Sequence, residues 1–260
     1  MATGIINPYA VAAAPNTRYR DAVLADSPIG LWMLDEPYGN NVAANQGSLG
    51  SAYDGLYAGK IATDPLYRGS GTVFDLDAMG RNLLYSNTTT GMYGSYVIIP
   101  SAGAAAPAIW PNNSSSSTSW SVEYIIRRTY NAVASQWEYI VQNWHPVIFY
   151  YFGYDQKVNI QSTNSTYKSA GGSGTYVRVV DYHIVWTFSG SNVRGYINGV
   201  WTWNTNWTSG YTGMQMTPYR SLMFGNGSTT QHFRGLMAGV AIHSSVLSQT
   251  QVTAHYNALL

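Results

Sequence analysis

The sequence predicts an all-β protein built as a sandwich of two antiparallel sheets. Three observations support this: the chain has 26 glycines among 260 residues, many short segments alternate apolar with polar residues, and residues 179–203 divide into three strands and two turns. Asn198-Gly199 is the strongest hairpin signal, because a type I′ turn requires positive φ at both central residues. A chain of this length ordinarily forms one large sandwich with a sizeable core.

The two-residue turn predicts which side chains share a face of the hairpin. The predicted cross-strand pairs are Ile197–Val200, Tyr196–Trp201 and Arg194–Trp203. Because side chains alternate across a strand, Arg194, Tyr196, Trp201 and Trp203 are expected on one face and small aliphatic residues on the other. The aliphatic face suits a core between sheets. The aromatic face is either a second packed layer or an exposed binding surface.

The elements before this hairpin start with an N-terminal arm. Residues 1–17 contain Pro8 and Pro15 and lack a basic start or a long apolar run, which predicts an extended arm and neither a signal peptide nor a membrane span. Arg18–Ala25 is expected to form one or two helical turns. The predicted strands that follow are Ile29–Leu34, Thr72–Leu76, Asn82–Tyr85, Tyr96–Ile99, Trp120–Arg127, Glu138–Gln142, Val147–Phe152 and Lys157–Gln161.

Loops and a closing helix complete the predicted chain. The predicted loops are residues 37–60, 101–118, 164–174 and 204–217, which are rich in Gly, Ser, Asn and Thr. Leu222–Phe224 and Leu236–His243 are expected to close the sheets. Ser248 and Gln251 form a capping box, which predicts a short helix that ends near Ala258.

Five segments in order along the chain share a family pattern. They are YRDAVLADSPIGLWMLDE from Tyr19, SYVIIPS from Ser95, WSVEYIIRR from Trp120, DYHIVWTFSGSNVRGYINGVW from Asp181 and FRGLMAGVAIHSSVLSQTQVTAHYNALL from Phe233. Together they resemble the laminin-G-like domains of the concanavalin A-like lectin/glucanase superfamily. The resemblance covers residues 18–260 and implies a jelly-roll sandwich with a short C-terminal helix. That group includes carbohydrate-binding, adhesive, virion and glycosidase domains, so the fold does not determine the function.

The composition narrows the class of protein. The net charge is +1 and only 10% of residues are charged, with no basic run, so a dedicated nucleic-acid surface is not expected. The chain has 22 tyrosines, 9 tryptophans and no cysteine. The absence of cysteine favours a protein that folds in a reducing cytoplasm.

The acidic residues do not form the pattern of a glycosidase. Resemblance to the superfamily implies that a retaining glycosidase would carry E-x-D-x-x-E on one strand, which places two carboxylates on one face. Glu123 lies on a strand that resembles the family's S-V-E-x-W strand, but no second acid lies two or five residues from it. We therefore expect no enzyme activity, and a glycoside hydrolase whose two acids come from separate strands is the third-ranked alternative.

The histidines and the remaining acids give no strong metal site. The five histidines, His145, His183, His232, His243 and His255, lack paired ligand spacing. His183 and His255 match framework positions of the resembled family, which implies a hydrogen-bonded structural role. No cofactor is expected. Calcium is the alternative, with candidate ligands Asp54, Asp75 and Asp77, although Ala238-Gly239 stand where the family commonly has Asp-Glu.

The predicted function is a non-enzymatic structural or adhesive component of a bacteriophage virion, such as a decoration, fibre or tail-associated protein. It rests on the methionine start, the absence of cysteine, the low charge and the arm before a lone sandwich. A free carbohydrate-binding, lectin-like module is the alternative. The expected location is the virion, after folding in the host cytoplasm.

The expected partners are other virion proteins, further copies of the chain and host-surface glycans, without nucleic acid or membrane. The arm is expected to contact other virion proteins through its apolar residues Ile5, Ile6, Tyr9 and Val11. Flat aromatic side chains with polar neighbours suit sugar rings. The predicted glycan-binding residues are Trp144, Trp203, Trp207, Tyr211, Asn204 and Asn206.

Overall fold

The computed structural model describes the chain in separate ranges along its length. They are residues 17–36, 42–58, 96–99, 119–128, 138–143, 149–152, 158–162, 168–171, 180–190, 192–206, 222–225 and 235–260. The helices are α1 (Thr17–Ala25) and α2 (Gln249–Asn257), and Ser51–Tyr53 forms a 3₁₀ turn. The strands are β1 (Gly30–Trp32), β2 (Val42–Ala43), β3 (Gly55–Ala58), β4 (Tyr96–Ile99), β5 (Ser119–Arg128), β6 (Glu138–Asn143), β7 (Phe149–Phe152), β8 (Val158–Ser162), β9 (Lys168–Gly171), β10 (Asp181–Ser189), β11 (Asn192–Ile197), β12 (Val200–Asn206), β13 (Leu222–Phe224) and β14 (Gly235–His243).

The strands form two antiparallel sheets. The first sheet has six strands in the order β1-β14-β5-β10-β11-β12, and the second has eight in the order β2-β3-β4-β13-β6-β7-β8-β9. This arrangement confirms the predicted sandwich. The meander β6-β7-β8, the hairpin β11-β12 and the helix α2 also follow the sequence-based expectation.

Two predicted loops contain strands, and a third, residues 204–217, begins inside β12. Residues 37–60 include β2 and β3, and residues 164–174 include β9, so the loop predictions were wrong there. The Gly55–Ala58 segment has no clear alternation, and its strand conformation depends on pairing with β4. Gly55 lies so close to that strand that a Cβ atom would stand 2.6 Å from Cγ1 of Val97. The predicted strands Thr72–Leu76 and Asn82–Tyr85 lie outside the described residues.

Large aromatic side chains fill the space between the two sheets. Trp32, Trp120 and Trp186 from the first sheet share one buried cluster with Phe224 from the second. The Trp32 and Phe224 rings meet edge to face, with their centroids 5.3 Å apart. Burial of such side chains is the main favourable contribution to folding, at roughly 25 cal/mol per Å² of apolar area.

Two helices cover the opposite face of the six-stranded sheet. Tyr19 and Val23 of α1 pack with Leu31 and Ile125, while Val252 of α2 packs with Val185 and Tyr196 in a separate cluster. The predicted capping box is present at the start of α2, where the Ser248 side chain and the Gln251 side chain each bond the other's backbone. Within the described residues, neither helix is long and apolar enough to cross a membrane.

A β-bulge changes the predicted register of the β11–β12 hairpin. Asn198 and Gly199 have φ values of 50° and 76°, as a type I′ turn requires. Tyr196 pairs with Trp201 as predicted, but Gly195 then pairs with Trp203 because Thr202 is the extra residue of the bulge. The predicted pair of Arg194 with Trp203 was therefore wrong. A bulge moves the following side chain to the opposite face, so Trp203 and Trp201 do not share a face.

Candidate functional site

The central carboxylate of the structure is Glu123, on the face of the six-stranded sheet that the helices cover. It lies directly opposite Val185 on one neighbouring strand and Ala241 on the other. His183 stands two residues before Val185, and His243 stands two residues after Ala241. Strand alternation therefore places both histidines on the same face as Glu123. The Glu123 side chain is 0% exposed.

Three histidines surround the Glu123 carboxylate. His183 Nε2 lies 2.8 Å from Oε2, and His243 Nε2 lies 3.2 Å from Oε1. His255 of α2 lies with Nδ1 3.1 Å from Glu123 Oε2 and Nε2 2.9 Å from Asp26 Oδ2. Because carboxylate oxygens only accept hydrogen bonds, these geometries assign the histidine nitrogens as donors. His255 thus bridges two carboxylates.

Electrostatics favour an ion pair inside this cluster. Burial alone raises the pKa of Glu123, but the charge of His255 and the three histidine hydrogen bonds outweigh it and hold that pKa well below 4.5. Burial lowers the pKa of His255, but Glu123 and Asp26 together raise it above its ordinary 6.5. Burial raises the pKa of Tyr19 well above its ordinary 10.0, and the charge of the Glu123 carboxylate raises that pKa further.

The cluster acts as a clamp between the sheet and the two helices. His255 joins α2 both to Glu123 in the sheet and to Asp26, which directly follows α1. Gln251 of α2 adds a hydrogen bond of 2.8 Å from Nε2 to Asp26 Oδ1. The buried Glu123 side chain faces the protein interior, where no polysaccharide chain reaches it.

The described residues do not contain a ready metal site. No group of three or more His, Cys, Asp or Glu side chains among them is arranged to hold a metal ion. Of the calcium candidates, Asp54 accepts a 2.7 Å hydrogen bond at Oδ1 from the Asn45 backbone N–H. This contact stabilises a turn. Asp75 and Asp77 lie outside the described residues.

An exposed aromatic surface lies on the edge strand β12. Trp201 is 50% exposed, and Val200 beside it is 62% exposed. The Trp201 indole donates from Nε1 to the backbone oxygen of Trp203 at 2.9 Å. The Arg194 guanidinium lies over the Trp201 ring, 5.5 Å from its centroid. This surface carries a half-exposed indole that is oriented by these two contacts.

The predicted glycan residues separate in the structure. Trp203 is half-buried and packs edge to face on Trp186, with ring centroids 5.6 Å apart, so the bulge places it against the core. Asn204 is exposed and pairs with Arg194. Asn206 ends β12. The predicted residues outside the described part of the chain are Trp144, Trp207, Tyr211, Ile5, Ile6, Tyr9 and Val11.

Sequence reasoning missed two members of the buried cluster. His183 and His255 have the hydrogen-bonded role that the family resemblance implied, although their partners were not predicted. His243 and Asp26 were given no role in a cluster with Glu123. The available sign was alternation, because Trp120, Val122 and Tyr124 of β5 are inward-facing and Glu123 must face the other way.

Comparison with known proteins identifies the fold. A laminin G family model, described as the concanavalin A-like lectin/glucanases superfamily, matches residues 101–253. No curated protein matches the chain. Domain 4 of AbnA, an extracellular GH43 arabinanase of Geobacillus stearothermophilus solved with arabinotriose, is similar with a TM-score of 0.58 and 16% identity, over 88% of this chain and 98% of that one.

Two larger structures contain a similar region. The binding domain of botulinum neurotoxin DC, solved with rat synaptotagmin II, has a TM-score of 0.58 and 12% identity over 90% of this chain. The Trypanosoma rangeli sialidase, solved with the inhibitor DANA, has a TM-score of 0.54 and 9% identity over 88% of this chain. The chain spans 52% of the toxin domain and 32% of the sialidase. At these identities the similarity establishes the concanavalin A-like jelly roll and nothing further.

Proposed function

The chain belongs to the laminin G family of the concanavalin A-like lectin/glucanase superfamily, and we propose that it is a non-enzymatic, lectin-like module that binds glycans. The observation that carries the proposal is the exposed Trp201 indole on the edge strand, held by a hydrogen bond to Trp203 O and by stacking with Arg194. An indole face fixed toward solvent is a surface on which the apolar side of a sugar ring stacks.

Two features support the absence of catalysis. Strand β5 has Glu123 as its one acid, and that side chain is fully buried among three histidines. Hydrolysis of a glycosidic bond requires two carboxyl groups that reach the substrate.

The arabinanase domain 4 was solved with arabinotriose, so this fold accommodates a carbohydrate ligand in at least one neighbour. We propose that binding here needs no metal ion.

The test combines binding with hydrolysis on one panel of polysaccharides. We expect the full chain to migrate more slowly in gels that contain a polysaccharide it binds. We expect no release of reducing ends from that polysaccharide. The retardation should be the same with and without EDTA. Trp201→Ala is expected to remove the retardation, while Val246→Ala, which truncates another exposed apolar side chain, serves as the control. Release of reducing ends that disappears in a folded Glu123→Gln variant would overturn the proposal.

We further propose that the module is a structural or adhesive component of a bacteriophage virion, where the same surface contacts host glycans. The supporting features are compositional: no cysteine, 10% charged residues and 22 tyrosines, with a surface built mainly from uncharged polar groups. Assembly would proceed in the host cytoplasm, through the arm and through contacts between copies. Mass spectrometry of purified particles tests this proposal. Absence of the chain from particles that infect normally would contradict it.

A further inference from the structure

We propose that Trp201, Arg194 and Asn204 form a binding site for a hexuronate residue of an anionic glycan. This inference rests on the proposed function and names the class of sugar. The three residues lie on the outer face of the six-stranded sheet, at its free edge. Arg194 of β11 pairs directly with Asn204 of β12, and the Arg194 guanidinium lies over the Trp201 ring.

The bulge at Thr202 creates the aromatic part of this site. Regular alternation would place Trp201 and Trp203 on one face, but the extra residue turns Trp203 toward the core and leaves Trp201 outside. The bond from Trp201 Nε1 to Trp203 O then fixes the indole orientation. Because the indole N–H is already used, a ligand meets the ring face, which suits the C–H side of a pyranose.

Arg194 supplies the charge that selects an anion. Its Nε donates to Asn192 Oδ1 at 3.2 Å, which orients the guanidinium. Among the described residues, no carboxylate forms an ion pair with Arg194. Arg194 is exposed, and a guanidinium offers a carboxylate two parallel hydrogen bonds.

The shape of the surface favours a hexuronate over other acidic sugars. A sheet face is shallow, and a hexuronate has a flat chair whose equatorial carboxylate extends at the ring edge. Such a ring would share the Trp201 indole with the Arg194 guanidinium, whose Cζ lies 5.5 Å from the ring centroid, so that its carboxylate meets Arg194. Asn204, which is exposed next to Arg194, offers an amide donor and acceptor to a ring hydroxyl.

The experiment compares two ligands that differ only in charge. Titration calorimetry of the full chain with trigalacturonate and with its methyl ester isolates the contribution of the carboxylates. We expect the acid to bind about 10- to 100-fold more tightly than the ester, which is the usual effect of a hydrogen bond to a charged group. The affinity for the acid should fall with added salt, because the ion pair between Arg194 and the ligand carboxylate is exposed.

Variants assign the effect to individual side chains. Arg194→Gln should abolish the preference for the acid, and Arg194→Lys should retain part of it because charge remains without the two-pronged geometry. Trp201→Ala should weaken both ligands. Arg18→Gln removes an exposed arginine on α1, which packs near β1 at the other edge of the sheet from β12, and should change nothing. Unchanged melting temperatures confirm that the variants are folded.

The outcomes separate this inference from the proposed function. Equal affinity for the acid and the ester, or a full preference retained in Arg194→Gln, would overturn the hexuronate site while leaving a glycan-binding module intact. Binding of 3′-sialyllactose in place of trigalacturonate would also overturn it. Failure to retain any polysaccharide of the wider panel would overturn both.

Discussion

At the scale of single residues, the Glu123 cluster shows how a buried charge is tolerated. An isolated carboxylate in the interior would be strongly destabilising, so it requires a counter-charge and hydrogen bonds. His255 supplies the counter-charge, and His183 and His243 complete the hydrogen bonds to both carboxylate oxygens. Removal of one partner leaves the remaining charge buried and incompletely compensated, which costs more than the pair itself contributes.

We predict that His255→Ala lowers the free energy of unfolding by about 3–5 kcal/mol near pH 6, the usual cost of breaking a buried ion pair. Asp21→Asn is the matched control, because Asp21 makes just one ion pair within the described residues, an exposed one with Arg20, and it should change stability by less than about 1 kcal/mol. Urea denaturation of both variants measures the effect. Equally small losses of unfolding free energy in His255→Ala and Asp21→Asn would contradict the role of His255 as a clamp.

The same cluster predicts how stability depends on pH. The raised pKa of His255 adds stability that is complete below its ordinary value of 6.5 and is lost as pH rises through the folded value. The lowered pKa of Glu123 adds stability that is complete above 4.5 and is lost as pH falls. The two contributions therefore coexist between these values. The cost of His255→Ala should shrink as pH rises through the raised pKa of His255, because the wild-type imidazole then loses its proton.

At the scale of elements, the C-terminal helix holds the β11–β12 turn. The Gly199 backbone oxygen accepts hydrogen bonds from Gln249 Nε2 and Thr253 Oγ1, at 2.6 and 3.0 Å. A Cβ atom on Gly199 would lie 3.0 Å from Tyr256 Cβ. The glycine is therefore needed both for its positive φ and for the close approach of α2.

Comparison of two glycine variants separates these two requirements. Gly190 has a φ of 60° and nothing within 4 Å of an added Cβ, so Gly190→Ala reports backbone strain alone, about 1–3 kcal/mol. We predict that Gly199→Ala costs measurably more, because it also displaces Tyr256. Thermal unfolding of the two variants measures the difference. Equal losses would show that α2 adjusts freely.

At the scale of the whole molecule, the two ends of the described chain meet over the central sheet. Asp26 follows the first helix, and it binds His255 and Gln251 of the last helix. The buried residues Tyr19 and Val23 of α1 belong to this helical layer. Among the described residues, α1 is the first element of this layer, and its first residue is Thr17.

We predict that deletion of residues 2–16 leaves the melting temperature of the domain nearly unchanged and abolishes its assembly with virion proteins. The segment is almost uncharged, and the four apolar residues expected to make contact precede every element described above. Calorimetry and sedimentation of the shortened chain measure the two properties. A shortened chain that unfolds but still binds its partners would assign the segment to the core.

Local physical chemistry allowed much of the fold to be predicted from the sequence. The Asn198-Gly199 turn, the Ser248 capping box and the alternating strands depend on neighbouring residues, so their patterns are visible in one segment. The predicted loop that began at Asn204 was wrong at its start, because Asn204 lies in β12. The predicted loops that proved to contain strands had no such pattern, since β3 is held by pairing with β4 and β9 by pairing with β8.

Only the tertiary structure decided the partners of Glu123 and the direction of Trp203. The histidines around Glu123 lie 60, 120 and 132 positions away along the chain, and no short-range pattern joins residues at such separations. The bulge at Thr202 likewise depends on how β12 packs at the sheet edge. It breaks the regular alternation of side chains and buries Trp203 against Trp186. Distant packing therefore determined which tryptophan remains exposed.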